Sequence, residues 1–441
     1  MHRFLPAFIL LVPAFAAPPD TLQLSLKKAI QIAIAPDGAT RVKLAEEELR
    51  QSKARANEAR AALLPNLDAS LTYQNETQNL KAFGLNIQLP PILHFQIPTF
   101  VGPFDVLDAR ASATEDVFDL SSLLRYRGAR VLIEAAKQDR AATAQQVTDQ
   151  VAHAYLAGLR ADAVLETAHA NVDLSNALLQ LAQTQKDAGT GTGIEVTRAE
   201  VQLANDQQLL LVAENERDRA LLELLKIMGL RLETPLELTD KLTYTPTDAV
   251  DEVKAVAVAH KNRNELKAQL AREHSARLGY DSAKFERLPT LGVFGNYGDL
   301  GTGISSALPT RAVGVSLRVP IFDGGRMEAQ RAESASTLRG QQIRTADLRD
   351  QIDLDVRLAL DSLRSANAQV KTAEDGERLS EEELAQAERR YKAGVSNSVE
   401  VTDAQTRLSR ARENRITALY NYNLARIDLG TAMGNIESMI P

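Results

Sequence analysis

The sequence predicts a mostly α-helical chain with a small transmembrane β part. It is built as two tandem repeats of helix, β-hairpin, long helix, turn and returning helix, with four strands per chain. Three observations carry this. Residues 189–229 and 394–434 align without a gap at an offset of 205, with identities such as Glu195/Glu400, Val196/Val401, Thr197/Thr402, Ala199/Ala404 and Leu203/Leu408. A chain that matches itself at so long a period is two copies of one unit. In the second copy Val401, Ala404, Leu408, Ala411, Ala418, Tyr422, Ala425, Leu429 and Ala432 follow a 3-4 spacing interrupted at Arg415; the first copy keeps the row with breaks at Asp206 and Arg217. A sustained 3.5-residue period describes a supercoiled helix seam rich in small residues that let helices approach. Finally, short stretches bounded by proline alternate apolar and polar residues with period two, the mark of strands with two unlike faces.

Taken in order, residues 1–16 form a basic start, an apolar stretch and the small-x-small site Ala14-Phe15-Ala16, which predicts a cleaved secretory signal peptide. The first repeat spans 17–229. Its opening helix, over 26–64, is interrupted at Pro36-Asp37-Gly38 and stops at Pro65. A β-hairpin is predicted over about 66–118. Leu67, Ala69, Leu71 and Tyr73 alternate with Asp68, Ser70, Thr72 and Gln74, and the Pro-rich stretch 83–104 is read as its exposed loop or cap. A long helix over about 121–188 contains no proline, and neither does its counterpart over about 326–393. Some 67 residues at 1.5 Å each make roughly 100 Å of helix, too long for a compact globular domain. A tip turn at 189–194 and a returning helix over 195–229 complete the unit, and residues 230–252, with Pro235 and Pro246, are a linker or equatorial region. The second repeat, 253–434, carries a helix over about 253–287 and a hairpin over about 290–322. Its long helix is followed by a tip turn at 394–399, a returning helix over 400–434 and a short tail, 435–441. Its clearest strand sets Val313, Val315, Leu317, Val319 and Ile321 against Ala312, Gly314, Ser316, Arg318 and Pro320.

Composition narrows the functions open to 441 residues. A net charge of −7 with no basic, aromatic-interleaved patch argues against nucleic acid as a partner. The absence of cysteine excludes disulfides, thiolate metal sites, a thiol nucleophile and a lipidated N-terminal cysteine. Aromatics at 5% and no tryptophan are thin for a chain that exposes much surface to lipid. The six histidines are scattered with no two at i, i+4, so no metal site is expected. Gly189, Gly191 and Gly193 superficially resemble a phosphate loop, but lack the following Lys-Ser/Thr and do not follow a strand; a helix-hairpin turn fits better. No nucleophile-elbow pattern of a serine hydrolase is present, and neither an enzyme nor a cofactor is expected.

The alternating hairpins supply the functional direction. In water an apolar sheet face needs a covering layer, and no element follows that would supply one. In a bilayer that face meets lipid, but the sheet must close, because an open edge leaves backbone groups unpaired in hydrocarbon. Four strands are too few for a barrel with a lumen, so several chains must contribute. The competing reading is a soluble periplasmic coiled-coil adaptor or scaffold, against which the Pro-bounded alternating strands speak.

The residues also resemble a known family. The two Leu-Pro-x-Leu steps (Leu64-Pro65-Asn66-Leu67 and Leu288-Pro289-Thr290-Leu291), the Phe322-Asp323-Gly324-Gly325 step, and the turn from Tyr391 and Gly394 to Val401, Ala404 and Gln405 are together similar to TolC-type outer-membrane efflux proteins. The resemblance spans nearly all of the mature chain. It implies a homotrimer with a twelve-stranded barrel in outer-membrane lipid, continued by a long periplasmic α-helical barrel. It implies a passive exit duct for a tripartite efflux or type I secretion system, docked to a periplasmic adaptor and an inner-membrane pump. On that expectation Gly189, Gly191, Gly193, Ile194, Gly394, Val395, Ser398 and Val399 form the adaptor-docking tips. Glu381, Glu382 and Glu383, about three turns before Gly394, are candidates for a carboxylate ring at a periplasmic gate.

Overall fold

The computed structural model describes residues 21–84, 99–247 and 250–436. The expected signal peptide, most of the Pro-rich loop and most of the tail therefore lie outside the described residues. The order of elements is β1 (Leu22–Leu24), α1 (Leu26–Ile34), α2 (Thr40–Ala61), β2 (Asn66–Asn79), β3 (Phe100–Phe118), α3 (Leu120–Asp187), α4 (Gly193–Met228), β4 (Leu236–Leu238), α5 (Glu252–Asn262), α6 (Asn264–Phe285), β5 (Thr290–Gly301), β6 (Leu308–Arg318), α7 (Arg326–Lys392) and α8 (Ser398–Ala432). The chain is thus mostly helical, with helix, hairpin, long helix, turn and returning helix occurring twice.

Two compact units can be described. One comprises residues 48–137 and 267–346 and holds a four-stranded antiparallel sheet of order β2-β3-β5-β6. Its register gives the two faces different characters, although Glu115, Asp299 and Arg311 fall on the more apolar face and Phe294 and Leu300 on the more polar one. Leu67, Ala69, Leu71 and Tyr73 lie opposite Ala113, Ala111, Ala109 and Leu107, and on the same face Leu291, Val293 and Gly295 lie opposite Leu317, Val315 and Val313. The other face carries Asp68, Ser70, Thr72, Ser112, Arg110 and Asp108. Leu67, Leu71, Tyr73, Val313, Val315 and Leu317 are all exposed. The hairpins differ as their sequences require: β5 and β6 are joined by a short connection, whereas twenty residues separate β2 from β3. Among the described residues no helix is long and apolar enough to cross a membrane.

The other unit comprises residues 1–47, 138–266 and 347–441. It contains two related cores. Val147, Val151 and Tyr155 of α3 are buried with Leu24, Leu224 and Met228. At the offset of 205, Ile352, Val356 and Leu360 of α7 are buried with Tyr422, Ala425 and Leu429 of α8. Each fully buried leucine or isoleucine contributes about 1.5–3 kcal/mol. Gly158 marks a difference between the copies, since a Cβ there would lie 2.8 Å from Leu238 of β4; the second repeat has Leu363 at that position.

Four features depart from the sequence reading. β6 ends at Arg318, short of Val319 and Ile321, and β3 already begins at Phe100, inside the stretch read as a loop. The linker contributes β4, which pairs in parallel with β1 (Leu22 opposite Leu236, Leu24 opposite Leu238). The Tyr155 hydroxyl lies beneath this pair, 2.9 Å from the Leu24 carbonyl and 2.8 Å from Asp240 Oδ2, and Asp240 also accepts from the Leu26 amide at 2.8 Å. Burial first, and the hydrogen bond to Asp240 second, push the Tyr155 phenol well above its ordinary range. The helix expected over 253–287 is two helices, broken at Arg263. No proline or glycine marks that break. Arg263 leaves the helical conformation (φ −58°, ψ 115°) and its guanidinium is held by Glu265 at 3.2 Å and Asp355 at 3.4 Å. Gly434, at φ +68°, approaches so closely that an added Cβ would lie 3.0 Å from the Arg263 nitrogen.

Candidate functional site

The two helix-hairpin turns are built alike. The α3–α4 turn passes through Gly189 at φ +73°, a left-handed conformation that glycine adopts without a Cβ penalty. The Gln185 carbonyl then accepts from the amides of Thr190 and Gly191, each at 2.9 Å, which satisfies the helix terminus. Thr192 caps α4, its amide donating to Glu195 Oε2 at 2.8 Å. The α7–α8 turn passes through Gly394 at φ +71°, with the Val395 amide donating to the Arg390 carbonyl at 3.0 Å. Asn397 caps α8, its side-chain oxygen accepting from the Val399 and Glu400 amides at 3.1 and 3.3 Å. Gly193 and Ser398 are the first residues of their helices. Ile194 is 60% exposed and Val395 67% exposed, and Val399 is exposed too. Each turn therefore presents apolar side chains on a tightly fixed backbone.

Behind the second turn, Tyr391 is buried with Leu384, Ala387, Val401, Ala404 and Leu408, and Leu174, Leu178 and Leu181 of α3 pack on them. Burial, then the Glu195 charge, raises the Tyr391 phenol above its ordinary value. Sequence reasoning did not find the polar layer above this cluster. Asp206 of α4, buried, accepts from the Ser175 hydroxyl of α3 and from Gln202 at 3.1 Å. Gln405 of α8 donates to Ser175 Oγ at 2.6 Å and to Asp206 at 3.3 Å. The available signal was Asp206 itself, a break in the apolar row. The other two breaks are also filled from the neighbouring long helix: Arg217 meets Asp162 at 2.6 Å and Arg415 meets Glu377 at 3.2 Å.

The three glutamates of α7 do not meet one another's needs. Glu381 pairs with Arg412 at 3.7 Å, Glu382 with Arg378 at 3.0 Å and Glu383 with Arg407. The Glu382 and Glu383 pairs lie at the surface and are worth little in high dielectric, whereas Arg412 beside Glu381 is half-buried; each places a cation of the same chain beside the carboxylate.

The sheet is the second element of function. Its four strands present an exposed apolar face, and β2 and β6 lie at its two edges. The model for "Outer membrane efflux protein" matches residues 37–230 and 256–435, which contain both hairpins and both tips. The chain belongs to this family. It is 24% identical to the outer membrane protein TolC of Escherichia coli over 438 residues, covering 90% of this chain and 81% of that protein. It is 25% identical to the pyoverdine export outer membrane protein OpmQ of Pseudomonas putida over 420 residues, covering 91% and 84%. Its fold is similar to the crystal structure of the outer membrane protein VceC of Vibrio cholerae, with a TM-score of 0.78, 18% identity, and coverage of 93% and 96%. As an outer membrane efflux protein, the chain is a transport duct and not an enzyme, and it resides in the outer membrane.

Proposed function

We propose that this chain is one protomer of a homotrimeric exit duct that receives cargo from a periplasmic adaptor and an inner-membrane pump. The observation that carries the reading is the β2-β3-β5-β6 sheet, with an exposed apolar face and two edge strands. Exposed apolar strands of this length are compatible with lipid only in a closed barrel. Two chains would supply eight strands, whose interior side chains would nearly fill. Three supply twelve and leave a lumen lined by the face that bears Asp68, Ser70, Arg110 and Asp108.

In this duct residues 1–16 are the cleaved export signal, and the repeats divide at the equatorial segment 230–252. The tip turns at Gly189, Gly191, Gly193 and Ile194, and at Gly394, Val395, Ser398 and Val399, meet the adaptor through the apolar side chains of Ile194, Val395 and Val399. Glu381, Glu382 and Glu383 lie near the narrowing. Their arginine partners would partly neutralise the charge of a carboxylate ring there. The test is the protein mass of the detergent-extracted complex by multi-angle light scattering. Three chains per particle are expected; a monomer or dimer as the membrane-extracted species would overturn the proposal.

A further inference from the structure

We propose that Asp149, His153 and Asp428 form a binding site for one divalent transition-metal ion of the zinc class, a site that clamps α3 to α8. The proposal does not depend on the oligomeric state, because all three residues belong to one chain and one compact unit.

The sequence spacing makes the site first. Asp149 and His153 stand at i and i+4 on α3, so both side chains project from one face of the helix. Asp428 comes from α8, 275 positions after His153. The ligand atoms lie within 4.8 Å of one another. His153 Nε2 is 2.8 Å from Asp428 Oδ1 and 3.6 Å from Asp149 Oδ1. In a tetrahedral zinc site, donors at 2.0–2.2 Å from the ion stand roughly 3.3 Å apart. The two observed separations bracket that value, so small side-chain rotations make room for the ion where Nε2 now faces two oxygens.

The surroundings support ligation as well. Thr431, at i+3 from Asp428 on the same helix, donates from its hydroxyl to Asp149 Oδ1 at 2.7 Å. A carboxylate fixed by a hydrogen bond from outside the ligand set is the usual support of a metal site. The three side chains are 25–41% exposed, which leaves space for water to complete the coordination and a path for the ion. The donor set, one imidazole and two carboxylates, suits zinc, cobalt or nickel better than calcium or magnesium, which take oxygen alone. The chain also contains an internal control. His260 Nε2 lies 2.6 Å from Asp353 Oδ1, a histidine-carboxylate pair with no third ligand among the described clusters.

The test is calorimetric titration of the chelator-treated, tag-free, detergent-extracted protein with zinc chloride at pH 7.5. One saturable equivalent per chain is expected. The affinity should fall at least tenfold in His153→Gln and in Asp428→Asn, and by roughly 10-fold in Thr431→Val, where only the support of Asp149 is lost. His260→Gln should bind as the parent does. No saturable binding, or binding unchanged in His153→Gln, would show that the cluster is only an ion-pair network. Should those variants fail to assemble, the parent protein decides alone. Pulsed electron paramagnetic resonance of its one-equivalent copper(II) form should show coupling to a single imidazole, and coupling to none or to two would overturn the assignment.

Discussion

Ser175→Ala tests whether the polar layer between α3, α4 and α8 holds the tip together. Ser175, Asp206 and Gln405 are all buried. The Ser175 hydroxyl donates to the Asp206 carboxylate and accepts from the Gln405 amide at 2.6 Å. Removing one hydroxyl therefore strips a buried carboxylate of a donor and leaves the amide with only its 3.3 Å contact to Asp206. A hydrogen bond to a charged group is worth about 1.5–3 kcal/mol, and a stranded buried partner adds its desolvation. The expected loss is about 2 kcal/mol, or about 30-fold in a local opening constant. The assay is native-state hydrogen exchange of amides in α8 at residues 401–408, where protection should fall by that factor while the α3–β4 core stays unchanged. The combined variant Ser175→Ala, Asp206→Leu, Gln405→Leu replaces the three buried members of the network by apolar side chains and leaves only half-buried Gln202, which can turn to water; its protection should return close to that of the parent. Protection unchanged in Ser175→Ala, or a combined variant worse than the single one, would refute the reasoning.

The tips and the small sheet yield two more predictions. Ile194→Asp combined with Val399→Asp places charge on both exposed tips; efflux of a fluorescent substrate from cells should cease while the extracted complex keeps its mass. Tyr155 has a folded-state pKa above the ordinary value of 10, so its protonated form is favoured by folding. Its stabilising contribution is complete below pH 10 and is lost as pH rises beyond that, so the unfolding midpoint of the parent should decline between about pH 10 and 12. Tyr155→Phe should be less stable at pH 7 by about 1–2 kcal/mol, because Asp240 and the Leu24 carbonyl lose a donor. It should also show a flatter alkaline decline, and an equally steep one would remove Tyr155 as its cause.

Short-range periodicity was legible in the chain alone: the rows through Val401 and Leu429 and the strand alternations at Leu67–Tyr73 and Val313–Leu317 each assign a side chain to a face from its neighbours, and the repeat at offset 205 carries the pattern from one half to the other. The turns were legible for a related reason: Gly189 and Gly394 occupy left-handed backbone that few other residues adopt. Tertiary structure decided the features whose partners are far apart. β1 and β4 have three residues each, too few for a period, and only their pairing across 214 positions defines them. The break at Arg263 carries no proline or glycine; it is imposed by Glu265, Asp355 and the close approach of Gly434. Asp206 reads as a flaw in an apolar row until Ser175 and Gln405 are seen to satisfy it. His153 stands among scattered histidines until Asp428 arrives from α8. A buried polar group is stable only when its partner is present, and the identity of that partner is written in the packing of distant helices rather than in the residues beside it.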